Sequence, residues 1–110
     1  IMGDAGGLVP NVIRWMKQIN IATLSDQELS DFINRQEKFS TNGEWEVAVF
    51  DFTQLQKNSS PAAESLIVAV IETQHSKLFI KMTGSMEAVM GNIKQFRELV
   101  HSIRPESSNG

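Results

Sequence analysis

Cysteine is absent from the 110 residues. That excludes disulfide frameworks, thiolate zinc sites and thiol catalysis together, while leaving the compartment open. Basic charge is scarce as well: Lys and Arg number 10 against 13 Asp and Glu, a formal net charge of -3. Duplex binding needs clustered Lys and Arg to displace counterions, so nucleic acid is not an expected partner. Long apolar runs are missing. The longest, Leu66 to Ile71, is 6 residues, far short of the ~20 that cross a bilayer, so no transmembrane segment is expected. No charged stretch followed by an apolar one marks a secretory leader, and the opening Ile1-Met2-Gly3 reads as a fragment or processed form.

What is present is an ordinary globular composition, 41% hydrophobic and 21% charged. A chain of this length buries a core without metal or disulfide staples, so residues 1–110 are expected to form a single domain with a polar tail over 105–110. Gly3-Asp4-Ala5-Gly6-Gly7 reads as a turn or loop, because three glycines in five residues carry a large backbone entropy cost in a regular element. A helix is predicted after it, with Pro10 in the first turn and Val12, Trp15, Met16 and Ile19 spaced as one apolar stripe; Arg14, Lys17 and Gln18 face water. Ser25-Asp26-Gln27-Glu28 forms a capping box, with Leu24 and Leu29 as its hydrophobic staple. This second helix turns Leu29, Phe32 and Ile33 inward and is expected to end near Gln36 to Lys38, ahead of a polar Ser40-Thr41-Asn42-Gly43 turn.

Glu44 to Thr53 has strand composition, with Trp45, Val47 and Val49 on one side and Ala48, Phe50 and Phe52 on the other. Gln54 to Ala63 reads as an exposed loop and the expected mobile segment. Ser65 to Thr73 and Lys77 to Thr83 are strands joined by Gln74-His75-Ser76, too short for anything but a hairpin. Ser85 caps a last helix whose stripe is Met86, Val89, Met90, Ile93, Phe96, Val100 and Ile103. The order helix, helix, strand, strand, strand, helix indicates the α+β class, an antiparallel sheet with helices packed on it. Three strands make a thin sheet for three helices, and further strands are expected before Ile1.

Chemistry-bearing motifs are sparse. Free amides in a glycine loop entering a helix bind phosphate or carboxylate, but this loop lacks both the Gly-Lys-Ser/Thr of a P-loop and the G-x-G-x-x-G spacing, which favours a structural turn. His75 falls in a hairpin turn and His101 late on a helix, neither with metal-ligand spacing; a solvated His75 and a surface His101 near a helix C-terminus are the simpler expectation. Asp51 and Glu72 sit on strands among apolar residues. Burial with a raised pKa is one reading of them, and a polar strand end reaching solvent or a lysine such as Lys77 or Lys81 is the commoner one. Gly84-Ser85-Met86 is no nucleophile elbow. Trp15 and Trp45, with Met16, Met82, Met86 and Met90, either line an apolar cleft or form core, and Trp45, opening a strand after a turn, is the more open case.

In combination, Gly3-Asp4-Ala5-Gly6-Gly7-Leu8, Asn11-Val12-Ile13-Arg14-Trp15, Leu24-Ser25-Asp26-Gln27-Glu28-Leu29, Lys77-Leu78-Phe79-Ile80-Lys81-Met82-Thr83-Gly84 and the closing helix through Phe96 and Ile103 resemble a family of bacterial envelope proteins. Its members are often lipoproteins, known mainly from planctomycetes. The chain departs from that family's pattern at Ile13, usually Asn, and at Ser85, usually Pro. The resemblance implies the PsbP-like architecture, shared by an extrinsic photosystem protein and a Ran-binding nuclear import factor, together with upstream strands and a periplasmic or envelope location. It implies no reaction, since one fold hosts unrelated functions.

The first functional expectation is therefore a non-enzymatic binding or assembly domain of the cell envelope, with a protein partner there and no cofactor. The second is a small-ligand binder or enzyme using the Gly3 to Gly7 loop, with Asp4, Gly6, Gly7, Arg14 and Trp45 converging on one pocket. A third is a homodimer through an exposed sheet edge.

Overall fold

A computed structural model describes residues 5–22, 24–41 and 44–103. Its elements run α1 (Ala5–Gln18), α2 (Asp26–Asn34), β1 (Glu37–Thr41), β2 (Trp45–Asp51), a 3₁₀ turn over Phe52–Leu55, β3 (Glu64–Glu72), β4 (Lys77–Ser85) and α3 (Met86–Ser102). The four strands pair in sequence order, every neighbour antiparallel. This is the expected α+β class with one strand more than the sequence suggested.

Alternation in β2 and β3 builds two cores, one on each face of the sheet. Ala48, Phe50, Leu66, Val68 and Val70 pack with Leu8, Val12, Trp15, Met16 and Ile19 of the α1 region and with Leu29, Phe32 and Ile33 of α2. Val47, Val49, Ile67, Ala69 and Ile71 pack beneath Val89, Phe96 and Val100 of α3. The sheet is thus covered by helices on both sides, and β3 is buried along nearly its whole length.

Local chemistry explains most of the element ends. The Ser25 hydroxyl accepts from the Glu28 amide at 3.2 Å and the Glu28 carboxylate accepts from the Ser25 amide at 2.9 Å, so the predicted capping box is formed. At the start of α3 the Ser85 hydroxyl accepts from the Ala88 amide at 3.1 Å. The next free amides of that helix, Met86 and Glu87, donate to the Ala63 and Pro61 carbonyls at 2.7 and 3.0 Å. The β3–β4 turn closes on Thr73, whose Oγ1 accepts from the Ser76 amide at 3.0 Å.

Four expectations are corrected. Ala5, Gly6 and Gly7 are helical, not loop, and Pro10 lies inside α1, not in its first turn. The helix extends back far enough to carry Leu8 into the core one turn before Val12, and that burial outweighs a helix cost of ~1 kcal/mol per glycine. Residues 37–41 form β1, not the end of α2 and the start of a turn. Their composition is polar, but pairing with β2 satisfies the backbone, from Glu37 opposite Val49 to Thr41 opposite Trp45. Gln54 and Leu55 belong to the 3₁₀ turn and Gln56 is buried, its amide donating to the Glu64 carbonyl at 2.8 Å and accepting from the Ser65 hydroxyl at 2.6 Å. Met90, placed on the inward stripe, is 57% exposed; it sits 100° round the helix from Val89, off the seam. Gly3, Asp4, the Asn42-Gly43 turn and the tail over 105–110 lie outside the described residues.

Candidate functional site

The residues expected to share one pocket do not come together. Gly6 and Gly7 are within α1, and Asp4 lies outside the described residues. Arg14 is exposed on α1 and donates to the Asn11 side chain one turn earlier at 2.6 Å. Trp45 is half-buried against the α3-side core, on the other face of the sheet from α1. Trp15 is core: its ring lies 6.3, 6.2 and 5.7 Å from those of Phe50, Phe52 and Phe79. Met16 and Met86 are buried as well.

Of the two strand carboxylates, Glu72 reaches a lysine as expected, pairing with Lys77 across the hairpin at 3.8 Å. Asp51 is instead half-buried and accepts from the amide and hydroxyl of Thr53, capping the 3₁₀ turn. His75 is exposed in its turn.

His101 has partners that spacing along the chain did not reveal. Its Nε2 lies 2.9 Å from a Glu37 carboxylate oxygen, and its ring stacks on Phe39 with centroids 3.9 Å apart. Arg97 donates to both oxygens of the same carboxylate, at 2.8 and 3.0 Å. These bonds, Arg97 foremost, hold the Glu37 carboxyl below the usual carboxylate range against an opposing push from burial, and Glu37 in turn raises Arg97. The two partners sit one turn apart on α3, 60 and 64 residues from Glu37, so the cluster ties the short edge strand β1 to the helix. Beside it opens a cleft of about 240 Å³ that also meets Gln36, Asp51 and Gln54. Among the described residues no group of three or more His, Asp or Glu is placed to hold a metal ion, and no helix is long and apolar enough to cross a membrane.

The other sheet edge is different in kind. β4 is nine residues long and, among the described residues, pairs on one side only, with β3, so the backbone groups on its outer side face away from the sheet. Its side chains alternate. Ile80 and Met82 lean toward the α3-side core, with Leu78 in the same row. Phe79 and Lys81 stand on the other face against Trp15, the Lys81 ammonium 5.8 Å from the indole ring. Leu78 is 47% and Phe79 42% exposed, and Leu99 on α3, 54% exposed, stands over the same edge. Ile80, Met82, Phe96 and Leu99 line an open groove of about 350 Å³ there. Large apolar side chains exposed together along an open strand make this edge the candidate site.

The two edges are defended unequally. β1 carries Glu37, bound to α3, and Lys38, whose ammonium donates to the Ile33 and Gln36 carbonyls at 2.8 and 3.1 Å around the end of α2. β4 has no proline, and its two lysines lie on one face, where Lys77 is paired with Glu72 and Lys81 lies over the Trp15 ring, so the row of Leu78, Ile80 and Met82 carries no charge. Lys77 to Thr83 is legible as a strand, but which strand lies at the edge, and so the exposure of Leu78 and Phe79, depends on the pairing order. No protein-family model, curated protein or solved structure matches this chain.

Proposed function

We propose that the chain is a non-enzymatic binding or assembly domain that takes up an extended segment along the free edge of β4. The observation that carries this reading is the nine-residue edge strand with Leu78 and Phe79 exposed and the groove to Leu99 beside it. Main-chain hydrogen bonds along such an edge supply affinity, and the alternating rows supply selectivity. An apolar row fits the Leu78, Ile80 and Met82 side, and acceptors or aromatic rings fit the side of Lys77 and Lys81. A protein partner in the bacterial envelope belongs to the same proposal and rests on the family resemblance alone.

Selection of displayed random nonapeptides on the immobilised protein tests the reading, with the site mapped by amide chemical shifts. Enriched peptides are expected to be extended and to move the amides of β4. A double variant, Leu78→Glu with Leu99→Glu, alters two exposed positions and is expected to abolish binding while leaving the spectrum of the core intact. Peptides that map instead to the cleft beside Glu37 and Arg97, or binding that survives the double variant, would overturn it.

A further inference from the structure

We infer that the segment added to β4 is β4 of a second copy, paired antiparallel about a two-fold axis at Ile80. This rests on the reading of β4 as an acceptor edge and names its occupant. A two-fold axis perpendicular to the sheet keeps each face with itself, so residues equidistant from the axis meet with their side chains on the same side. The register is then chosen by which residue sits on the axis.

With Lys81 on the axis, Lys81 faces its own copy; with Phe79 on the axis, Lys77 faces the partner's Lys81. Like charges directly opposed destabilise a strand pair. Centring on Leu78 runs the pairing into the turn after Glu72, and centring on Met82 leaves Leu78 opposite the start of α3, where the chain has left the sheet. Centring on Ile80 has none of these faults. Phe79 then meets the partner's Lys81, an aromatic ring beside a cation, and Leu78 meets the partner's Met82. Lys77 meets the partner's Thr83.

The opposite face closes in the same register. The groove between Leu99, Ile80 and Met82 is open, and in this register the partner's Leu78, opposite Met82, adds an apolar wall to it. The result is one continuous eight-stranded sheet with α3 helices on one face and α1 and α2 on the other. A strand edge roughly 30 Å long is narrow beside the about 800 Å² per partner of a standard interface, so the dimer forms in a concentration-dependent way.

The absence of cysteine makes the register directly testable. Residues facing each other across an antiparallel pair have Cβ atoms about 4.5–5.5 Å apart, and those two positions out of register about 7–8 Å or more, beyond disulfide reach. In mild oxidant Ile80→Cys is expected to form a disulfide dimer. Phe79→Cys and Lys81→Cys, each alone, are expected to stay largely uncoupled, and a mixture of the two to give the mixed dimer. Sedimentation of the unmodified chain from roughly 10 μM to 1 mM is expected to show monomer passing to dimer. Overturning results are a monomer throughout that range, or equal cross-linking at all three positions. If the chain is monomeric while displayed peptides still shift β4 amides, the second copy is excluded and the acceptor edge stands; if neither is seen, both readings fall.

Discussion

Replacing Gln36 with leucine tests the polar joint that holds α2 to the sheet. Gln36 is only 5% exposed, and its side chain makes three hydrogen bonds. It donates to the Phe32 carbonyl at 2.7 Å and to the Gln54 side chain at 3.0 Å, and accepts from the Asp51 amide at 3.0 Å. Leucine fills nearly the same volume and removes all three. Gln54 keeps a donor, because Arg35 also reaches its oxygen at 3.2 Å. The Phe32 carbonyl and the Asp51 amide lose the Gln36 partner, at about 1–3 kcal/mol for each group left unsatisfied, while the added apolar burial returns roughly 1 kcal/mol. The expected net loss is about 1–5 kcal/mol. With a urea slope near 2 kcal/mol/M for a domain of this size, the midpoint falls by about 0.5–2.5 M. Urea unfolding followed by tryptophan emission reads this directly, since Trp15 is buried in the adjoining core. A leucine variant within roughly 0.5 kcal/mol of the parent, at an unchanged slope, would show that these three bonds contribute nothing net and refute the reasoning.

Other expectations follow from the same contacts. Glu37 has its folded-state pKa depressed by Arg97 and, to a lesser degree, His101, so its contribution to stability is present above the unfolded carboxylate pKa and is lost as pH falls through the folded one. Parent and Glu37→Gln are therefore expected to differ in thermal midpoint at pH 6 and to converge in acid; a constant gap would contradict the pairing. Ser25→Ala removes the cap of α2 and is expected to cost about 1 kcal/mol in chemical unfolding, with no loss expected if the capping box is dispensable. Phe50→Ala empties a fully buried position between Trp15 and Phe32 and is expected to cost about 3–5 kcal/mol; a loss under 1 kcal/mol in the same measurement would show that the site collapses around the gap.

The parts of this fold written in local chemistry were readable from the chain. The Ser25 box, the Ser85 cap, the Val12 to Ile19 stripe and the alternation of β2 each depend on residues a few positions apart. β1 was not readable, because Glu-Lys-Phe-Ser-Thr has one large apolar residue and becomes a strand only through its pairing with β2 and its tie to α3. The start of α1 was hidden by its glycines, whose local preference yields to the burial of Leu8. The candidate site was half legible: Lys77 to Thr83 carries the apolar alternation, but its exposure follows from strand order and from where α3 comes to rest. The Glu37 cluster joins residues 60 and 64 positions apart, and no spacing rule reaches that distance.

Because β3 is buried on both faces, greasiness alone does not choose its alignment. A slip of one residue against β2 would send Leu66, Val68 and Val70 toward α3 and Ile67, Ala69 and Ile71 toward α1 and α2, exchanging apolar residues for apolar residues. What a slip cannot tolerate is the displacement of its polar ends. Ser65 would leave Gln56 and, with β4 held in place, Glu72 would leave Lys77, each carried to the opposite face. A few polar side chains at the margins thus act as the alignment marks of a strand whose interior has none. Substituting both with apolar residues would keep the burial and remove the marks, yielding a chain that collapses as readily and settles into more than one pairing.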